Sequence, residues 1–166
     1  MTGSIDALIH KAEELYIRYG NGLSEDRTVR RFLSEYQNNI AATNRLMHHG
    51  EIVKTCSAHA TEKAGSCCMQ DVEEWYDPVL LLVNLLMGVE FPASRELSGH
   101  CLFVGNRGCK LIARYPFCVN YLCPRLKDLL GPAQTQHLMT AAGTELFLGW
   151  EAERYIHNWL NSHPPI

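Results

Sequence analysis

Apolar side chains recur at three- and four-residue spacings between residues 4 and 19. Ile5, Leu8, Ile9, Ala12, Leu15, Tyr16 and Tyr19 share one face there, which predicts an amphipathic helix. Gly20 and Gly22 are expected to end it. Ser24 then offers an N-cap with acidic residues behind it, and Val29, Phe32, Leu33, Tyr36, Ile40 and Met47 keep the helical period to Gly50. Residues 1–50 therefore read as a helical hairpin with antiparallel helices. Asp77-Pro78 reads as an N-cap with proline in the first turn, and Gly88 as the stop of a short helix that is apolar nearly all round. Such a helix has to be buried on most sides or lie in a subunit interface, which makes a homodimer one expectation.

Further along, the period changes. Two β-prone segments flank Gly105-Asn106-Arg107-Gly108, which predicts a small hairpin within Cys101–Ala113. A short helix after Pro116 would carry Cys118. Pro124 disfavours helical geometry at Cys123 and lacks a donor, so the chain is expected to break there and restart through Arg125–Leu130. Gly131-Pro132 opens a last helix to about Asn161, with Gly143 and Gly149 as weak points. Residues 56–70 read as an irregular loop. The expected architecture is mainly α: a helical bundle with a small cysteine-rich hairpin and loop region holding a metal site. It is a single domain over 1–166, divided into the hairpin of 1–50, a metal-binding region over 51–127 and a C-terminal helix over 128–166.

Composition supports a globular fold, with 46% hydrophobic and 20% charged residues among 166. The longest apolar run, Val79–Met87 interrupted by Asn84, is far shorter than the roughly 20 residues of a membrane helix. The N-terminus has no export pattern, so a cytoplasmic location is expected. The net charge of -3 hides a contrast: residues 51–98 carry three basic and eight acidic side chains, while 99–127 carry Arg107, Lys110, Arg114, Arg125 and Lys127 and no acid. Those cations could answer cysteine thiolates and lower their pKa, or form a patch for an acidic partner. A nucleic-acid platform is not expected, because the interleaving of basic and aromatic residues is missing.

The chemistry lies in seven cysteines, Cys56, Cys67, Cys68, Cys101, Cys109, Cys118 and Cys123, all inside one stretch of the chain. Cysteines scattered as small core residues would not be confined in this way. Cys118 and Cys123 have a spacing that serves one metal if a helix ends between them, and Pro124 supplies that ending. A Cys-Pro step also closes the ligand run of bacterial ferredoxins. Cys56-Ser-Ala-His59 has the spacing of a mixed knuckle, while His48, His49 and His100 are weaker candidates. Glu73, Glu74 and Asp77 read as helix-start and surface acids. No phosphate-binding or dinucleotide-binding glycine loop is present.

The vicinal pair Cys67-Cys68, followed by HCLFVGNRGCKLIARYPFCVNYLCP, resembles the YkgJ-like cysteine-cluster family, named for a C-x2-C-x2-C-C motif. The downstream match rests on Cys101, Gly108-Cys109, Tyr115-Pro116, Cys118 and Cys123. Thr61 and Ala64 stand where the first two motif cysteines would fall, and Cys56 lies earlier in the loop. The resemblance implies a zinc or iron-sulfur protein. The leading expectation is an iron-sulfur cluster of the 4Fe-4S type, used in electron transfer or redox sensing with a redox protein partner. Its expected ligands are Cys67 or Cys68 with Cys109, Cys118 and Cys123, followed by Cys101 and Cys56. The alternative is a zinc-stabilised structural or interaction module, and a third possibility is an enzyme whose catalytic thiol is one of the vicinal pair.

Overall fold

The computed structural model describes residues 4–49, 51, 52, 54, 55 and 68–164. The long helices come first. Helix α1, Ile5–Glu25, starts at Ser4, whose hydroxyl accepts from the Ala7 amide, and runs through Gly20 and Gly22 rather than ending at them. Both glycines face aromatic rings: a Cβ at Gly20 would lie 3.1 Å from the Tyr16 ring, and one at Gly22 3.1 Å from the Trp159 indole. Packing room, rather than helix termination, accounts for them. Helix α2, Arg27–His49, is capped by Asp26 instead of Ser24: the Asp26 carboxylate accepts from the amides of Thr28 and Val29 at 2.8 and 2.9 Å. One residue thus separates the two helices. They do not form a self-contained hairpin, for α1 lies chiefly against the apolar third helix and α2 against the last one.

Helix α3, Pro78–Leu86, is the expected apolar helix, with Asp77 accepting from Val79 and Leu80 and with Gly88 at φ 83° beyond its end. Val79, Leu80, Leu81, Leu82, Val83 and Asn84 are all buried within the chain. Each such aliphatic side chain contributes about 1.5–3 kcal/mol on burial, so this helix anchors the core. The burial removes the reason for assigning it to a homodimer interface.

The single polar residue in this run is Asn84. Its amide donates to the carbonyls of Leu80 and Ala113 at 3.0 and 2.8 Å, and its carbonyl accepts from the amides of Ile112 and Ala113 at 3.0 and 2.9 Å. Every hydrogen-bonding position of the side chain is thereby used. Asn84 thus ties Ile112 and Ala113 of the cysteine-rich segment to α3.

That segment contains a two-stranded antiparallel hairpin, β1 (Val104–Gly105) with β2 (Gly108–Cys109), paired Val104 to Cys109 and Gly105 to Gly108. Helix α4, Pro116–Asn120, follows. Helix α5, Pro124–Ser162, starts behind Cys123 and kinks at Gly131, whose φ of 71° departs from helical geometry just before Pro132. The predicted break and restart are therefore both present. The main apolar core gathers side chains from α1, α2, α3, the hairpin region and Ile156, while Met47, Ile52, Leu122, Leu126, Leu130 and Leu138 form a second cluster. Among the described residues no helix is long and apolar enough to cross a membrane.

Candidate metal centre

The candidate residues are carried by short pieces of chain between α2 and α5. A 3-10 turn, Val72–Trp75, leads into Tyr76, whose ring is buried between Phe103 and Tyr115 at centroid distances of 5.4 and 5.6 Å. The Tyr76 hydroxyl accepts from the Tyr115 amide at 2.8 Å. Burial holds its acidity far weaker than that of an ordinary phenol, and negative charge on Cys109, Cys118 or Cys101 would add to that effect. The three cysteines, from β1's approach, from β2 and from α4, thus all bear on one phenol, with Cys101 buried, Cys118 half-buried and Cys109 exposed.

Cys68 joins them through the backbone. The Cys101 amide donates to the Cys68 carbonyl at 2.9 Å, and Met69 forms an antiparallel bridge with His100. The downstream member of the vicinal pair is therefore fastened beside Cys101. Cys123 occupies a different environment, at the N-terminus of α5 against the second apolar cluster. None of the five described cysteines is in a disulfide. Cys56, Cys67 and His59 lie outside the described residues.

At Cys101 the electrostatics differ from the sequence expectation. Cys101 is 7% exposed, and its pKa is pushed up to about 12, first by burial and further by the negative charge of Glu73 and Cys109. This is opposite to the lowering expected from neighbouring cations. Two of those cations, Arg114 and Lys110, are engaged elsewhere. Arg114 donates to the Asn44 carbonyl at 3.1 Å and points toward the Met47 sulfur, while Lys110 pairs with Glu96 at 2.8 Å. Glu96 also accepts from the Asn106 amide at 2.8 Å, so it clamps the hairpin tip; that amide and Lys110 hold its carboxyl below the usual range.

Glu73 is the acid that sequence reasoning misplaced. Expected at the surface, it is 0% exposed and ion-paired with Arg95, whose guanidinium also donates to the His100 carbonyl at 2.6 Å. The pair ties the loop before Cys101 to the 3-10 turn before Tyr76. No local pattern announces it, because its partner lies 22 residues away. Tyr76 was also missed; its only sequence signal is its place just before the Asp77 cap. Asp77 is a cap, as expected.

Thiolates suit zinc, copper(I) and the iron of iron-sulfur clusters, so the donor type matches the groups that the family resemblance implies. Among the described residues no three His, Cys, Asp or Glu side chains are arranged to hold a single ion. Comparison of the chain with protein-family models, curated proteins and solved structures finds no match.

Proposed function

We propose that this protein is a thiolate metalloprotein whose centre is an iron-sulfur cluster, 4Fe-4S in type, serving electron transfer or redox sensing. The reading is supported by Cys68 fastened to Cys101 through the backbone and by the effect that Cys101, Cys109 and Cys118 would each have on the acidity of Tyr76. These four cysteines would hold the group, with Cys67 and Cys56 as further candidates from the loop. Such a cluster supplies one-electron redox chemistry. The protein's own part is to hold Cys101 in the core beside Tyr76, Phe103 and Tyr115, while Cys109 stands exposed and Cys68 and Cys118 half-buried. The likeness to the YkgJ-like family supports a cysteine-held group and adds Cys123 to its candidate ligands.

A zinc-stabilised module is the second reading, favoured by the brevity of the elements that carry the thiols. Two-residue strands and a five-residue helix contribute little stability alone, and a structural ion would supply folding free energy there. Anaerobic purification with a visible spectrum and iron, sulfide and zinc analysis separates the two. Brown protein with stoichiometric iron and sulfide is expected, and C118A is expected to lose the colour and most of the metal. Full metal content in C118A would remove Cys118 from the ligand set, and colourless protein with stoichiometric zinc would replace the redox reading by the structural one.

A further inference from the structure

Two imidazoles that the thiol centre does not use line one cavity beside the second apolar cluster. His49, in the last turn of α2, and His137, on α5 beyond the kink at Gly131, share a space of about 140 Å³ with Leu46, Leu130, Gln134 and Leu138. The spacings explain the convergence. Leu46 and His49 are one turn apart on α2, and Gln134, His137 and Leu138 lie within about one turn of α5, so each helix presents one face to the same gap. Leu130 and Leu138 are buried, while both histidines and Gln134 are exposed, which gives the cavity an apolar floor and a polar mouth.

The His49 ring is set to receive a metal. Its Nδ1 lies 2.7 Å from the Arg45 carbonyl, which can only accept, so Nδ1 carries the proton and Nε2 of the neutral ring keeps its lone pair. An N–H held by a backbone carbonyl is the usual support of a metal-binding imidazole. The place also favours a cation, because α2 ends at His49 and its last carbonyls put the negative end of the helix dipole there. No lysine or arginine is among the described residues that line the cavity.

We propose that His49 and His137 together bind one divalent transition-metal ion of the zinc type, with the Gln134 amide oxygen and water completing its shell. Imidazole suits zinc, copper and nickel, whereas calcium and magnesium take oxygen ligands. Two imidazoles, an amide and water make an open site, unlike the closed four-ligand site of a structural zinc. The ion would tie the end of α2 to α5. The site shares no residue with the cysteines, so it stands whether or not they hold a cluster.

The test uses the full-length protein labelled with nitrogen-15 and zinc at buffered free concentrations, with the imidazole ring nitrogens followed by NMR. The readout is resolved by residue, so zinc taken by the thiols does not enter it. His49 and His137 are expected to shift with one common midpoint. In H137Q the midpoint at His49 should rise by roughly tenfold or more, with the reciprocal effect at His137 in H49Q. H48Q, which alters the neighbouring imidazole on another side of α2, should change neither. All three histidines are exposed, and the backbone spectrum of each variant reports its fold. Separate midpoints for the two rings, or a His49 midpoint unmoved in H137Q, would overturn the shared site. Equal shifts of His10, His157 and His163 at the same zinc concentration would overturn it too, since any surface imidazole would then serve.

Discussion

Asn84 shows what one residue decides. It interrupts an apolar run, and from the sequence it reads as a polar flaw in a buried helix. In the fold it uses both amide hydrogens and both carbonyl lone pairs, three of these bonds reaching the backbone of Ile112 and Ala113. Asn84→Ala strands three buried backbone groups, so a loss of about 2–4 kcal/mol is expected. Urea unfolding measures it, and a loss near zero would show that water replaces the amide. Because Arg114 and Tyr115 follow directly, the same variant should loosen the Tyr115 amide from the Tyr76 hydroxyl. Glu73 makes the converse point. Its neighbours in sequence mark it as a surface acid, and its ion pair with Arg95 offsets the cost of its complete burial.

At the scale of elements, the helices were legible from their period because each buries one face. Asp77 and Gly88 bound α3 as local chemistry demands, and Pro124 and Gly131 break the chain where their backbone geometry requires. The boundary between α1 and α2 was read less well. Ser24 and Asp26 are both acceptable caps, and the choice between them depends on which amides are left unpaired. Gly149 was read as a weak point of the last helix, yet it is the place where α2 approaches. A Cβ there would stand 2.8 Å from the Tyr36 ring and 2.9 Å from its hydroxyl. Gly149→Ala is therefore expected to cost about 1–3 kcal/mol despite the better helix propensity of alanine. Thermal unfolding checks this, and a stabilised variant would mean that Tyr36 moves aside freely.

The whole molecule places acids between its helices. Glu145 is fully buried near Thr43 and Arg114, and Glu153 lies where α5 meets the Asp77 cap, with Tyr36 close to both. Burial raises the Glu145 carboxyl, and burial together with Asp77 raises Glu153 to about 7 from the ordinary 4.5. The native state then holds more protons than the unfolded chain between those values. The Glu153 contribution is thus fully present below pH 4.5 and lost as the pH rises toward 7. Glu153→Gln mimics the protonated form, so it is expected to match the wild type at pH 4.5 and to exceed it by about 1–3 kcal/mol at pH 8. Urea midpoints at the two values test the sign, and an equal difference at both would exclude linkage through Glu153.

The amino-acid sequence by itself determined the helices, the hairpin turn, the caps and the breaks, because these follow from side-chain period and backbone preference within a few residues. It also singled out the cysteine stretch as the candidate centre, through its confinement and the Cys-Pro step. Only the tertiary structure decided which thiols share a neighbourhood. Cys68 is fastened beside Cys101, and Cys101, Cys109 and Cys118 all bear on Tyr76, whereas Cys123, nearer to Cys118 in the chain, turns to the second apolar cluster. It also decided where the cations go, turning Arg114 to α2 and Lys110 to Glu96 instead of to the thiols. The reason is the same in each case: a buried polar group takes the partner that the packing of distant elements brings within reach, and sequence neighbours do not specify it.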